Sequence, residues 1–161
     1  MVPENRMTPA INLLKKKKIP HEVVKFDHSP NANAYGLEAA EKMNVPCEQV
    51  FKTLVVTNDN AQLAVAIVPV AQKLNFKKVA KALGFKKVAM AEANHVENTT
   101  GYILGGVSPL AQKKSLKTVL DDSANDFARI YVSGGRRGVE IALAPSDLLK
   151  MTRGLQASIT D

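Results

Sequence analysis

Val50-Phe51-Lys52-Thr53-Leu54-Val55-Val56-Thr57, then Asn58-Asp59-Asn60, then Leu63-Ala64-Val65-Ala66-Ile67-Val68-Pro69, is the stretch that decides the fold. The first run is rich in β-branched residues, which suit a pleated strand. The last is almost wholly apolar, the pattern of a strand covered on both faces. A turn of Asn and Asp separates them, so the two runs are expected to pair as a hairpin. Period-two alternation puts Val50, Lys52, Leu54 and Val56 on one face. A lysine on such a face is either at the rim, its ammonium reaching water, or in a pocket. A pocket lysine holds phosphate or biases a proton transfer.

Outward from the hairpin, helices and short strands alternate. Thr8 is placed to cap a helix opened by Pro9 and running to Lys17 or Lys18. Ile19-Pro20 ends it. His21 to Phe26 reads as a strand, Asp27 to Asn31 as a loop, and Tyr35 to Met43 as a helix. Asn75 to Gly84 is the clearest helix, with Phe76, Val79, Ala80 and Leu83 as one apolar stripe and Lys77, Lys78 and Lys81 off it. Lys87–Met90, Tyr102–Leu104, Thr118–Leu120, Ile130–Ser133 and Val139–Leu143 are expected strands. Ala91 to Asn98 is a short helix, and Pro145 opens a last helix that Gly154 closes. The sum is one mixed α/β domain over residues 7–161, largely antiparallel, with residues 1–6 as an extension.

Composition narrows the function. The chain has 161 residues and 17.4 kDa, with 45% apolar and 23% charged residues. That is enough to bury a core without a disulfide or metal staple, and it excludes disorder of the whole chain. No apolar run has membrane-spanning length, and the N-terminus lacks the apolar region of a secretory signal. Cys47 is the only cysteine, so no internal disulfide forms, and a reducing cytoplasm is expected. The net charge is +7, and it is unevenly placed. Between residues 60 and 120 stand Lys73, Lys77, Lys78, Lys81, Lys86, Lys87, Lys113, Lys114 and Lys117, against Glu92 and Glu97 alone. The excess marks either an anionic partner, nucleic acid first, or a solvated lysine-rich surface. Aromatics are 5% and tryptophan is absent, which disfavours a base-stacking platform.

Several chemistries lack their signatures. His21, His28 and His95 have no ligand spacing with one another or with Cys47, so no metal is expected. Cys47 has no nearby base, and Gly106-Val107-Ser108-Pro109-Leu110 lacks the second glycine of a serine nucleophile elbow. No Walker A loop or dinucleotide fingerprint occurs. Two glycine pairs follow expected strands, Gly105-Gly106 and Gly134-Gly135. They are either tight turns or backbone donors for an oxyanion. Arg136 and Arg137 contact phosphate or are simply charged turn residues.

Five segments, taken in order, carry a resemblance. They are Thr8-Pro9-Ala10, Val50 to Leu54, Lys77 to Gly84, Thr100-Gly101-Tyr102 running on to Gly105 through Leu110, and Ile130 to Gly138. Together they resemble the YbaK/EbsC-type Cys-tRNA(Pro) deacylases, relatives of the editing (insertion) domain of bacterial prolyl-tRNA synthetase. The resemblance implies one α/β domain with a mixed, partly closed sheet flanked by helices, and no metal or cofactor. It implies a trans-editing enzyme that clears cysteine from proline tRNA, with the tRNA(Pro) acceptor end as partner, prolyl-tRNA synthetase as a further one, and no membrane. The family's lysine falls on Lys52 with Thr53 beside it, its backbone glycine on Gly105, and its serine on Ser133 ahead of Gly134. Its acidic residue falls on Glu140, where the family more often has aspartate. Its aromatic pocket positions fall on Phe26, often tyrosine, and Tyr35, often phenylalanine. Lys77, Lys78, Lys81 and Arg136 are expected on the tRNA backbone. The implied attack comes from the substrate's own thiol, with Lys52 holding the terminal adenosine or its phosphate and Gly105 near the oxyanion. Two alternatives stand beside it: an Ala-tRNA(Pro) deacylase using water, and a non-catalytic tRNA-binding adaptor of the synthetase.

Overall fold

The computed structural model describes residues 8–27 and 35–161. The expected extension, the start of the domain at Met7 and the loop residues His28 to Asn31 lie outside the described residues. The hairpin forms as expected. Strand β2 (Phe51–Asn58) runs antiparallel to β3 (Leu63–Pro69), from Phe51 opposite Pro69 to Thr57 opposite Leu63. All seven residues of β3 are buried, because both its faces are covered. Val65 and Ile67 join one apolar cluster, while Ala64, Ala66 and Val68 join another.

Around this pair stand β4 (Val88–Met90) beside β2, then β5 (Lys117–Asp121) and β8 (Leu155–Ala157), both parallel, beyond β3. A second, antiparallel sheet has the order β1 (Glu22–Lys25), β7 (Val139–Leu143), β6 (Ile130–Ser133). The mixed α/β domain is as expected, but the single, partly closed sheet is instead two sheets, not closed. Among the described residues their one ladder contact is an isolated bridge from Val50 to Tyr131. β4 covers β2 only over Val56–Asn58, so among the described residues no strand covers the edge between the bridge and β4.

The helices bury the faces of these sheets. Helix α1 (Pro9–Lys16) starts at Thr8, whose hydroxyl accepts from the Ile11 N–H at 3.2 Å. Its Leu14 packs with Phe51, Ile67, Leu120, Ile141 and, from α5 (Pro145–Thr152), Leu148. Each such side chain contributes roughly 1.5–3 kcal/mol on burial. Helix α3 (Phe76–Leu83) lays Val79, Ala80 and Leu83 on the far face of the larger sheet and leaves Lys77, Lys78 and Lys81 exposed. Asn75 caps it and Gly84 ends it at φ +76°. Helix α2 (Tyr35–Met43) matches its expected bounds, while α4 spans Ala93–Thr100, two residues further along than expected. Among the described residues no helix is long and apolar enough to cross a membrane.

Two expectations fail locally. Tyr102-Ile103-Leu104 is not a strand. Gly101 at φ +83° closes α4 and Gly105 at φ +93° turns the chain again, which leaves no extended length between them. Tyr102 is buried and donates its hydroxyl to the Leu110 carbonyl at 2.7 Å, while Ile103 is 76% exposed. At the end of α5 the left-handed residue is Arg153, at φ +54°, and Gly154 follows it.

The two glycine loops pack backbone to backbone. A Cβ on Gly106 would stand 2.7 Å from the Arg136 Cα, far inside contact distance, and the atom it meets is main chain. Gly106→Ala is therefore expected to lower the unfolding free energy by about 1–3 kcal/mol. Urea titration checks this, and an unchanged midpoint would show that the loops have room between them.

Candidate active site

The open edge of β2 is the floor of a cavity of about 450 Å³. Val50 O accepts from Val70 N–H, and Asn58 N–H donates to Gln62 O, so even-numbered residues of the strand turn their backbone toward β3. Odd-numbered residues turn theirs the other way. There Val55 O takes the Ala91 N–H at 3.1 Å, and Thr53 faces the cavity with no strand beside it among the described residues. The Thr53 side-chain oxygen is buried and has no hydrogen-bond partner. A buried polar atom of this kind calls for a partner that the described residues do not supply.

Lys52 lies next to it, opposite Val68 on β3, and lines the same cavity while half-buried. Burial pushes its ammonium pKa down. The walls are mostly apolar: Leu37 from α2, Met90 at the end of β4, Val96 from α4, and Leu104 and Val107 from the loop after it. Gly105 belongs to that loop and also lines the cavity.

The far wall comes from the smaller sheet. Ser133 and Glu140 are cross-strand partners on β6 and β7, and both line the cavity. The Ser133 hydroxyl accepts from Gly135 N–H at 3.1 Å. Tyr35 ties this wall to α2: its hydroxyl accepts from Gly138 N–H at 2.7 Å and donates to Glu140 Oε2 at 3.3 Å. Glu140 is 3% exposed. Burial pushes its carboxyl up to about 8, against the opposing pull of the Tyr35 hydrogen bond. At neutral pH Glu140 is therefore mainly the uncharged acid, which donates as well as accepts.

One cavity thus gathers Lys52, Thr53, Gly105, Tyr35, Ser133 and Glu140. Phe26 stands behind it, stacked on Tyr35 with centroids 5.9 Å apart, and lines a second cavity that also holds Arg136. Gly134 lines neither; its N–H bonds Val139 O, and its carbonyl takes the Thr8 hydroxyl. Lys77, Lys78 and Lys81 line neither as well, and the Lys78 ammonium bonds the Thr160 carbonyl at 2.7 Å. Sequence reasoning missed the apolar walls. Leu37, Met90 and Leu104 are large and roughly half exposed, and only their convergence in space distinguishes them from ordinary surface residues. Among the described residues no three His, Cys, Asp or Glu side chains group as metal ligands.

The described residues thus form a mostly apolar cleft that brings together a lysine, a buried acid and a buried hydroxyl. Residues 30–151 match the aminoacyl-tRNA editing domain, and the chain belongs to that family. It is 39% identical over 153 residues to a protein of Enterococcus faecalis (strain ATCC 700802 / V583) named "Putative Cys-tRNA(Pro)/Cys-tRNA(Cys) deacylase EbsC", covering 95% of this chain and 93% of that one. Two solved structures share the fold. One is described as "a putative trans-editing enzyme for prolyl tRNA synthetase", with TM-score 0.84, 22% identity and coverage of 100% of this chain and 99% of that one. The other is "hypothetical protein APE2540", with TM-score 0.85, 23% identity and coverage of 96% and 100%.

The raised Glu140 pKa has a stability consequence. Between the carboxyl's ordinary 4.5 and about 8 the folded chain keeps a proton that the unfolded chain gives up. The stabilisation is full below 4.5 and is lost as pH rises through about 8. Between pH about 5 and about 9 the wild type is expected to lose on the order of a few kcal/mol relative to Glu140→Gln. Urea titrations of both proteins across that range measure it; parallel curves would mean that Glu140 ionises normally.

Proposed function

We propose that this chain is a trans-editing aminoacyl-tRNA deacylase that removes cysteine from mischarged Cys-tRNA(Pro). The observation that carries the reading is the convergence of Lys52, the Thr53 hydroxyl, Gly105 and buried Glu140 in one mostly apolar cavity. Among the described residues no histidine or cysteine lines it. In this reading the attacking group is the substrate's own thiol, as the family resemblance implies. Its sulfur bonds to the ester carbonyl carbon, the ester C–O bond breaks, and the thiol proton ends on the ribose hydroxyl that leaves with the tRNA. The product is a cyclic thioester.

The chain's residues supply position. The apolar walls exclude water, and the Thr53 hydroxyl and strand edge hold the aminoacyl ester. Lys52 anchors the terminal nucleoside, and donors near Gly105 meet the developing oxyanion. Neutral Glu140 closes the far wall without repelling a thiolate. Proline carries no thiol, so a correctly charged tRNA survives by chemistry, where size alone discriminates little. The relative named for Cys-tRNA(Pro) and Cys-tRNA(Cys) supports this substrate class. The trans-editing description of the structural neighbour fits prolyl-tRNA synthetase as a partner, and the charge excess fits tRNA as the anion.

One assay separates the readings. Purified protein is mixed with Cys-tRNA(Pro), Ala-tRNA(Pro) and Pro-tRNA(Pro), and ester loss is followed. Loss of the cysteinyl ester alone is expected. Loss of the alanyl ester too would mean attack by water, and binding without loss would mean an adaptor. Lys52→Ala is expected to cut kcat/KM by about a hundredfold or more with its unfolding midpoint kept. If Lys77, Lys78 and Lys81 lie on the tRNA backbone, replacing all three by glutamine lowers the slope of log K against log salt by roughly 0.7–0.9 for each phosphate no longer neutralised. An unchanged slope makes α3 a solvated face.

A further inference from the structure

The Arg137 guanidinium sits at the seam between two cavities. On one side it lies against Gly105, so closely that a Cβ there would stand 2.6 Å from Nε, and its Cζ is 5.5 Å from the centroid of the Tyr35 ring. Both neighbours line the main cavity. On the other side Arg137 lines a second, more open cavity of about 410 Å³ with Lys25, Arg136, Asp27 and Phe26. Its described walls bring Lys25, Arg136 and Arg137 together with Asp27.

The chemistry of the seam is anion recognition. Guanidinium is planar, permanently charged, and matched in geometry to two phosphate oxygens. The Tyr35 face and the Gly105 backbone hold this one in place, so little ordering entropy remains to be lost on binding. Glycine at 105 suits this contact: the residue has φ +93°, and a Cβ there would push the guanidinium from its present place.

We propose that Arg137, with Arg136 and Lys25 beside it, binds the phosphodiester on the 5′ side of the terminal nucleoside whose ester occupies the main cavity. The acceptor strand then crosses the seam and leaves over the second cavity, away from the α3 lysines, which line neither cavity. This rests on the deacylase reading.

The test compares two substrates: cysteinyl-adenosine, which has the ester and no phosphate, and an acceptor-end oligonucleotide carrying the same cysteinyl ester. The wild type is expected to prefer the oligonucleotide, chiefly through KM. In Arg137→Gln that preference falls by about tenfold or more, the usual size of a charge-assisted hydrogen bond. Arg136→Gln and Lys25→Gln, which leave the Gly105 contact intact, each shift it in the same direction by a smaller factor. A preference unchanged in all three variants overturns the proposal, as does an equal loss on both substrates. A preference that collapses in Lys52→Ala instead would also overturn it, assigning the phosphate to Lys52. If the wild type cleaves neither ester, it is the deacylase reading that fails.

Discussion

The architecture hangs on the close approach of two glycine loops that a side chain would prevent. Gly106 lies under the Arg136 backbone, Gly105 under the Arg137 guanidinium, Gly135 against Thr8 and Tyr102, and Gly138 against the Phe26 carbonyl. Thr8 fastens the assembly, because one hydroxyl both caps α1 and donates to the Gly134 carbonyl. Segments near residues 8, 26, 105 and 135 are thereby drawn into one wall. Among the described residues the two sheets share a single ladder bridge, so this loop packing, together with the shared apolar cluster, holds the Glu140 and Lys52 sides of the cavity relative to each other.

Much of this is legible in the order of the residues alone. Local rules govern the hairpin, the Asn75–Gly84 helix and the Thr8 cap, because each depends on residues within a few positions of one another. Tyr102–Leu104 misleads because its composition suits a strand, while the two positive-φ glycines that flank it override composition. β8 escapes notice because three residues carry no period, and the strand exists through parallel pairing with β5. The candidate site splits the same way. Lys52, Gly105 and Ser133 stand out in recognisable segments. The raised Glu140 carboxyl and the orphan Thr53 oxygen arise from burial by distant elements, which no local pattern encodes.

The charge excess divides in the same spirit. Lys78 bonds the Thr160 carbonyl, and Lys117 bonds the Leu83 carbonyl at 3.2 Å while standing 5.5 Å over the Phe85 ring. Those two lysines serve the fold, one tying down the C-terminal segment and the other closing α3. All four of Lys77, Lys78, Lys81 and Lys117 are exposed, and composition counts them alike, although Lys78 and Lys117 also bond main-chain carbonyls.

The uncovered stretch of β2 carries a risk that most proteins suppress, since a bare strand edge invites a stranger's strand. Here the edge is recessed between α2 on one side and the Leu104 loop on the other. A strand from another folded protein must bring its whole sheet past both walls, whereas a single-stranded tip need not. The same recess that guards the protein against aggregation therefore sorts visitors by thickness before any chemistry begins.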